Sequence, residues 1–333
     1  MKTIIVTGGA GFIGHHCIEH LMKKTDWNII IIDKLSYATN GVENLRSSGL
    51  LFQERVKLIT WDLVQPLSTG VKKIIGESVN YILHIAAESD VNRSIADPVP
   101  FVKNNIDSTL NMLEYARTLP SLEKFYMFST DETHGVPEGS YAFKETDAFN
   151  PRNPYSASKA SCEMLCLAYA NTYKVPIMIS EMVNAFGERQ HVEKFVPKII
   201  STLLNDEELI IHADPTGTIP GSRYYIHARN TADAILFLLE NGQLGESYNI
   251  CTKNEIDNLE MAQMIAQIMG KTLKYKLVDF HSDRSGHDLY YRLDGTKLES
   301  LGWKAPLNFE KSLENTVHWY MRNTKWLEET VNN

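Results

Sequence analysis

The sequence predicts an α/β protein in which a doubly wound parallel sheet of the Rossmann type is followed by a smaller C-terminal α/β domain. Three features carry this prediction. Apolar runs alternate with helical stretches through the first half, a glycine-rich turn follows the first run, and the alternation loosens after about Asn184. Strands and helices that alternate at this spacing are typical of parallel sheets with helices on both faces.

The strands predicted in the first half are apolar along their whole length. Asn28–Asp33 contains four consecutive isoleucines, as expected of a strand that is buried on both faces of a sheet. The other predicted strands are Thr3–Thr7, Val56–Thr60, Tyr81–His84, 125–129 and 176–180. Helices are predicted near 99–118, 155–173, 196–204, 228–240, 259–270 and 309–323.

Composition and charge narrow the class of protein. The 333 residues are 43% hydrophobic and carry a formal net charge of −8, so a nucleic-acid partner, which requires a basic surface, is not expected. There is no apolar run of membrane-spanning length and no CxxC pair among the four cysteines. These features favour a reduced cytoplasmic protein with neither a membrane partner nor a metal site.

The motif TGGAGFIG at residues 7–14 lies between the first strand and the first helix. Its glycines Gly8, Gly11 and Gly14 let the backbone approach a pyrophosphate, and the start of the helix offers unpaired N–H groups to the phosphates. Asp33 ends the second strand about 20 residues farther on, where a carboxylate bonds the ribose diol and repels a 2′-phosphate. The pattern therefore predicts NAD as the cofactor.

Two later strand ends are expected to face the same cofactor. Asp62 and Leu63 follow the third strand, where an adenine ring would lie. Ala86, Ala87 and Ser89 follow the fourth strand, and their small side chains suit close approach to the nicotinamide ribose.

We therefore expect residues 1–184 to form an NAD-binding domain, with 224–243 packing back onto it, and 185–333 to form most of a substrate domain. The segment 214–223 is rich in Pro, Gly and Thr and is predicted to be a loop. Because no long linker separates the two parts, the active site is expected in the crevice between them.

Tyr155 and Lys159 are four residues apart at the start of a predicted helix, so both side chains lie on one face. A free phenol has a pKa near about 10, too high for a base at neutral pH. A neighbouring ammonium and the positive nicotinamide would both lower the pKa of Tyr155. The pair therefore predicts a catalytic base, although the same spacing also occurs on ordinary helix surfaces.

TGGAGFIG and the motif YSASK at residues 155–159 together resemble the extended short-chain dehydrogenase/reductase family. The resemblance implies that the Tyr155 phenolate takes a hydroxyl proton while the carbinol hydride moves to NAD.

Thr130, Asp131 and Glu132 follow the fifth strand at its carboxyl end, where such sheets carry chemistry. Oxidoreductases and epimerases of the family need only a Ser or Thr here. The two extra carboxyls imply the extra proton transfers that elimination of water requires. This stretch resembles nucleotide-sugar 4,6-dehydratases, as do DKLSYA at 33–38, HIAAESDVNRSI at 84–95 and DRSGHD at 283–288.

The resemblance implies a role for each catalytic residue. Tyr155, helped by Lys159 and Thr130, removes the proton of the sugar 4-hydroxyl, and hydride leaves C4 for NAD. Glu132 then takes the C5 proton, and Asp131, as an acid, protonates the departing 6-hydroxyl. Hydride returns to C6 and gives a 4-keto-6-deoxy sugar. Asp131 must hold a proton when it acts, which requires burial or a charged neighbour to raise its pKa.

The resemblance also implies further contacts and a homodimer that pairs the two long helices near 99–118 and 155–173. The further NAD contacts are Phe12, Ile13, Lys34, Ser36 and Asn104. The nucleotide-sugar contacts are Ser89, Asp90, Thr130, Asn184, Lys194, Arg223, Asn258, Arg284 and His287.

Some residues depart from the family pattern. Asp90 replaces a His, His134 replaces a Tyr and Ala185 replaces an Asn, and each could change which sugar hydroxyls are recognised. Arg223 is followed by Tyr-Tyr instead of Asp-Trp, and the loop 214–222 is longer than usual, which could alter the nucleotide pocket. dTDP-glucose is the favoured substrate, and a UDP-, GDP- or CDP-sugar remains open.

Two other functions remain open on the sequence. A nucleotide-sugar 4-epimerase or decarboxylase would use the same fold and Tyr155 but would have no use for Asp131 and Glu132. A non-catalytic NAD-binding regulator could keep the fold alone, although it would have no need of Tyr155, Lys159 and Thr130.

Overall fold

A parallel sheet of seven strands lies at the centre of the protein, in the order β10-β6-β5-β4-β1-β2-β3. This computed structural model describes residues 1–36, 39, 41–253, 255–279 and 289–328. The strands of the sheet are β1 (Thr3–Thr7), β2 (Asn28–Asp33), β3 (Val56–Thr60), β4 (Tyr81–His84), β5 (Lys124–Phe128), β6 (Ile177–Met182) and β10 (Ser247–Ile250). The predicted Rossmann fold class is confirmed, and the strand bounds differ from the predicted ones by at most two residues.

The isoleucine run of β2 shows why the sheet needs helices on both faces. Ile29 and Ile31 pack into one hydrophobic core, and Ile30 and Ile32 pack into a second core on the opposite face. Alternate residues of a strand point to opposite faces, so a strand that is apolar throughout must be covered twice. Apolar burial on both sides is the main driving force for this architecture.

Helices cover each face of this sheet. Those that contribute to the two cores are α1 (Phe12–Lys24), α2 (Glu43–Ser47), α3 (Thr69–Ile75), α5 (Pro98–Ala116), α6 (Pro154–Tyr173) and α8 (Ala228–Asn241). Helix α4 (Val91–Ala96) packs against α5 and α6. Helices α1 and α8 pack on each other on one face, and α5 and α6 pack on each other on the opposite face.

The second half of the chain builds two small sheets and a third core. Its strands are β7 (Asn184–Phe186), β8 (Leu209–Ala213), β9 (Ser222–His227), β11 (Glu255–Asp257), β12 (Tyr275–Asp279) and β13 (Tyr290–Tyr291). Its helices are α7 (Phe195–Leu204), α9 (Asn258–Met269), α10 (Thr296–Ser300), α11 (Phe309–Arg322) and α12 (Lys325–Glu328). No helix of the described residues has the length and apolar character of a membrane span.

A longer segment of the second half packs back onto the first sheet than we expected. After α8 has packed on α1, strand β10 joins the edge of the seven-stranded sheet beside β6. The segment that returns therefore extends beyond residue 243, to Ile250. Because β7 continues directly from β6, and β9 leads into α8, the two parts are joined at their shared crevice. The division at residue 184 stays a prediction.

Candidate active site

A cavity of about 490 Å³ opens at the carboxyl ends of the strands of the large sheet, between it and the second half of the chain. Every predicted site residue that the structure describes lines this cavity. The lining includes Gly8, Gly11, Phe12, Ile13, Gly14, Asp33, Lys34, Ser36, Asp62, Leu63, Ala86, Ala87, Ser89, Asp90, Asn104, Thr130, Asp131, Glu132, Tyr155, Lys159, Asn184, Lys194, Arg223 and Asn258. Arg284 and His287 lie outside the described residues.

The glycine loop leaves no room for side chains. Gly8 has φ +69°, a conformation that favours glycine, and a Cβ there would lie 2.8 Å from the Ala86 nitrogen. At Gly14 a Cβ would lie 2.2 Å from the Gly8 oxygen. At Gly11 it would meet only that same oxygen, at 3.1 Å. The loop therefore presents bare backbone to the cavity where a pyrophosphate would lie.

Asp33 is fixed by backbone amides at the end of β2. Its carboxylate accepts hydrogen bonds from the Ala10 and Leu35 N–H groups at 3.0 and 2.8 Å. Burial raises the pKa of Asp33, and these two amides oppose the rise. An oriented acceptor beside the glycine loop suits a ribose diol. The residues present therefore fit NAD.

Lys34 and Asn104 lie together at the same end of the cavity. The Lys34 ammonium donates to the Glu88 carboxylate at 2.7 Å and to the Asn104 carbonyl oxygen at 2.8 Å. This contact joins the loop after β2 to helix α5. It brings into one place two predicted cofactor residues that are 70 positions apart.

Asn153 positions the catalytic helix. It is the N-cap of α6, with a reciprocal capping box to Ser156, and Pro154 occupies the first turn. The Asn153 side-chain amide also donates to the Glu132 carboxylate at 3.1 Å. Asn153 thus fixes the start of the helix that carries Tyr155 and also holds the Glu132 carboxylate. Sequence reasoning missed Asn153, although a polar residue directly before Pro is a recognisable cap signal.

Tyr155 and Lys159 are both buried on α6, but the ammonium does not act on the phenol as we expected. Burial raises the pKa of Tyr155 above its ordinary value, and Glu132 raises it further, whereas a hydrogen bond with Thr130 opposes the rise. The Lys159 ammonium instead donates to the Phe128 carbonyl at 2.7 Å. Burial lowers the pKa of Lys159. The protein groups alone therefore hold the phenol in its neutral form.

Asp131 lies in a 3-10 turn, Asp131–His134, that Thr130 caps. The Thr130 hydroxyl donates to one Asp131 oxygen at 3.2 Å, and the other oxygen is buried with no partner among the described residues. Burial, followed by the Glu132 carboxylate, raises the pKa of Asp131 to about 8. The side chain is therefore an acid that holds its proton at neutral pH, as the elimination hypothesis requires.

The predicted substrate residues come from separate elements of the second half. Arg223 on β9 donates to the Ser222 carbonyl at 2.8 Å, and its guanidinium lies 4.5 Å from the centre of the Tyr291 ring. Lys194 is the N-cap of α7, and its ammonium donates to the Ser89 carbonyl at 3.2 Å. Both cations line the cavity, where they could neutralise phosphates.

The departures from the family pattern fall in different places. Asp90 and Ala185 line the cavity. Burial alone would raise the pKa of Asp90. The Arg93 amide and the Lys194 ammonium nevertheless hold this pKa below its usual range. His134 was expected to change which sugar hydroxyls are recognised. It is not among the described lining residues, because its ring turns away and pairs with Glu181 at 2.7 Å.

Several lining residues were not predicted, because single polar residues in loops and strands give no local signal. They include Gln190, His191, Glu193, Lys198, His212 and Tyr225. Within the described residues, no three His, Cys, Asp or Glu side chains are grouped as a metal site would need.

Comparisons with known proteins agree with this geometry. The family model described as GDP-mannose 4,6 dehydratase matches residues 5–316. The chain belongs to this family. A low-salt glycan biosynthesis protein of Haloferax volcanii is 35% identical over 96% of this chain and 98% of its own length. A dTDP-glucose 4,6-dehydratase of Haemophilus influenzae is 34% identical over 97% of this chain and 99% of its own.

A solved structure shows the same likeness. A dTDP-glucose 4,6-dehydratase of Streptomyces venezuelae, solved with NAD bound, superposes with a TM-score of 0.88 at 31% identity and covers 99% of this chain and 100% of its own. The predicted family, the NAD cofactor and the general reaction class, dehydration of a nucleotide-activated sugar, are confirmed. The roles of individual residues stay predictions.

Gly14→Ala is expected to weaken NAD binding by at least about tenfold, because its Cβ would displace the loop at Gly8. Retention of NAD by the purified protein, and its titration by calorimetry, measure the effect. Gly70→Ala is the matched control, since a Cβ there meets only the Ser68 hydroxyl at 3.8 Å. Equal NAD affinity in the two variants would contradict the close approach.

Asp131→Asn is expected to stabilise the fold at alkaline pH. The folded pKa of about 8 exceeds the ordinary value of 3.8, so the wild type loses stability as pH rises between these values. Removing the ionisable group removes that loss. The gain should be absent near about pH 4 and largest above about pH 8, as measured by denaturant unfolding. A gain that does not depend on pH would rule out a raised pKa.

Proposed function

We propose that the protein converts dTDP-glucose to its 4-keto-6-deoxy product by NAD-dependent 4,6-dehydration. One observation carries the proposal. A buried carboxyl that holds its proton, Asp131, and a second carboxyl, Glu132, line the same cavity as Tyr155 and Lys159. Oxidation at one carbon and elimination of water at the next two require these four groups together.

The first step is removal of the 4-hydroxyl proton by Tyr155. NAD, when bound, accepts the C4 hydride and later returns it to C6, and its positive ring favours the phenolate. Burial raises the pKa of Tyr155, and the hydrogen bond with Thr130 opposes part of that rise. Lys159, fixed on the Phe128 carbonyl, keeps a positive charge on the helix that carries the base.

Elimination uses the two carboxyls. The new 4-ketone acidifies the C5 proton, which Glu132 accepts, and the C5–H electron pair forms the C5–C6 double bond. Asp131 donates its proton to the 6-oxygen as the C6–O bond breaks, so water leaves. After the return of hydride to C6, Glu132 gives its proton back to C5. Tyr155 then releases the proton it took from the 4-hydroxyl, and Asp131 takes up one proton, so that both start the next turnover unchanged. The reaction is redox-neutral overall, so NAD stays bound between turnovers.

The substrate part of the proposal is supported by the Haemophilus and Streptomyces relatives, both named for dTDP-glucose. The Arg223 and Lys194 side chains line the cavity and supply two cations for a diphosphate. UDP-, GDP- and CDP-glucose are the alternatives, because Tyr224 and Tyr225 replace the usual pair after Arg223.

A 4-epimerase is the second candidate function. It would share Tyr155 and the NAD site, but it would leave Asp131 without a task. A buried carboxyl with an oxygen that has no partner among the described residues costs folding free energy, and a role in catalysis would explain why that cost is kept. This feature favours the dehydratase.

We further propose that the protein acts in the cytoplasm as a homodimer. The cytoplasmic location is supported by the cysteines, because all four are free and buried. Helices α5 and α6 carry large apolar side chains on the surface, namely Val99, Met164 and Tyr173, as a helical dimer interface requires. A monomeric mass in solution would contradict the dimer.

The activity test is incubation of the NAD-loaded protein with dTDP-, UDP-, GDP- and CDP-glucose. We expect the dTDP-sugar to lose one water, as measured by mass spectrometry, and the others to react more slowly. If another nucleotide reacts faster, the substrate assignment is wrong; if none loses water, the dehydratase assignment fails.

Glu132→Gln and Tyr155→Phe are expected to stop the reaction at different points. Tyr155→Phe should prevent transient NADH formation, whereas Glu132→Gln should allow NADH to form but slow the loss of water at least about a hundredfold. Stopped-flow absorbance and mass analysis separate the two outcomes. Water loss by Glu132→Gln at the wild-type rate would assign proton removal at C5 to another base, whereas turnover that keeps the 6-oxygen would favour an epimerase.

The rate of water loss in single turnovers should fall above about pH 8, where Asp131 loses its proton. Because the acid form is the active one, the rate should decrease about tenfold per pH unit beyond that point. Asp131→Asn should be slow and show no such decrease. An alkaline limb that persists in this variant would assign it to another group.

A further inference from the structure

Behind the catalytic triplet, Thr130, Asp131 and Glu132, lies a buried group of polar side chains: Ser129, Glu163, Glu181 and His134. Each is 3% exposed or less. They come from four elements: the end of β5, helix α6, strand β6 and the 3-10 turn Asp131–His134. Of these, only Ser129 lines the cavity, among the described lining residues. Buried charge of this kind is unfavourable for folding unless it is paired.

These side chains form one continuous chain of hydrogen bonds. The Ser129 hydroxyl donates to Glu163, and Glu163 is hydrogen-bonded to Glu181. The Glu181 carboxylate is 2.7 Å from His134 Nε2. His134 Nδ1 is 3.3 Å from the Ala148 carbonyl oxygen. Both ring nitrogens therefore face oxygen atoms, and although burial opposes the rise, the hydrogen bond with Glu181 raises the pKa of His134, which favours the imidazolium form.

Glu163 and Glu181, the two carboxyls in this chain of hydrogen bonds, must share a proton, because two adjacent negative charges are not both kept in a buried site. Burial, and then Glu181, raise the pKa of Glu163 well above its ordinary value. Glu163 is therefore the neutral acid, and Glu181 is the carboxylate paired with His134. The chain is neutral overall, with its negative member beside the 3-10 turn.

This chain of hydrogen bonds holds residues 130–133 at both ends. Ser129 directly precedes Thr130, and His134 directly follows Thr133. Glu163 lies four residues after Lys159 and eight after Tyr155, on the same face of α6. We propose that Glu163, Glu181 and His134 are positioning residues that clamp residues 130–133 from behind and keep the Asp131 carboxyl aimed into the cavity for elimination. This inference rests on the proposed function.

Electrostatics supports the same role. The groups that act on Asp131 are Glu132 and Glu181, which favour its protonated form, and Arg223 and Thr130, which oppose it. Tyr155 is a further titratable group of the site, and burial raises the pKa of its phenol. Because Glu181 is among the groups that raise the pKa of Asp131, the clamp contributes to the proton on Asp131 as well as to its direction.

The first test is Glu181→Gln in the NAD-loaded protein, with single turnovers of dTDP-glucose. We expect NADH formation at C4 within about twofold of the wild type and loss of water slowed at least about tenfold, because only the second step depends on Asp131. NADH should therefore accumulate. A general loss of structure would slow both steps together and would overturn the inference.

Glu19→Gln is the matched control. Glu19 is also a buried carboxylate, 8% exposed, and is paired with Arg229 at 2.6 Å, but on helix α1 away from the triplet. It should lose a comparable ion pair without accumulation of NADH. His134→Gln should reproduce the effect of Glu181→Gln, and the double variant should be no slower than either single one. Additive effects would contradict a single clamp.

A second test needs no sugar and so separates this inference from the proposed substrate. Infrared difference spectra between each protein and its Asp131→Asn counterpart report the Asp131 proton as pH is varied. The midpoint should lie near about 8 in the wild type and lower by about half a unit or more in Glu181→Gln. An unchanged midpoint would overturn the inference even if the protein dehydrates dTDP-glucose, whereas a shifted midpoint without dehydration would refute only the proposed function.

Discussion

Burial of the large sheet on both faces is the constraint on which the rest of the structure depends. Because Ile29–Ile32 must all leave water, helices have to cover both faces of the sheet. Each connection between parallel strands runs from the carboxyl end of one strand back to the amino end of the next. The carboxyl ends of all the strands therefore lie on the same side of the sheet. The glycine loop, Asp33 and Thr130–Glu132 meet there because of this topology, although they are far apart in the chain.

The parts of the site that could be predicted are those with a local signal. Gly8, Gly14 and Asp33 were found because a strand, a turn and a helix impose a fixed spacing on a dinucleotide site. Tyr155 and Lys159 were found because helix geometry places residues four apart on one face. Asp131 was found by resemblance, but its raised pKa required the fold, since burial is the largest cause.

The parts that could not be predicted depend on contacts between distant segments. His134 and Glu181 are 47 positions apart, and nothing in either stretch indicates that they pair. We therefore expected His134 to affect which sugar hydroxyls are recognised, whereas it pairs with Glu181 behind Asp131. The return of β10 to the main sheet was missed for the same reason, because it depends on pairing with β6, which is distant in the chain.

The low-dielectric site also explains why two groups with opposite tasks can lie side by side. Burial favours the neutral form of both Tyr155 and Asp131, which suits the acid and hinders the base. The acid is therefore ready in the protein itself, whereas the base needs a positive charge nearby before it can ionise. A bound nicotinamide supplies that charge. Proton removal at C4 is thus tied to the loaded cofactor, whereas the proton that Asp131 donates in the elimination is already in place before the sugar reacts.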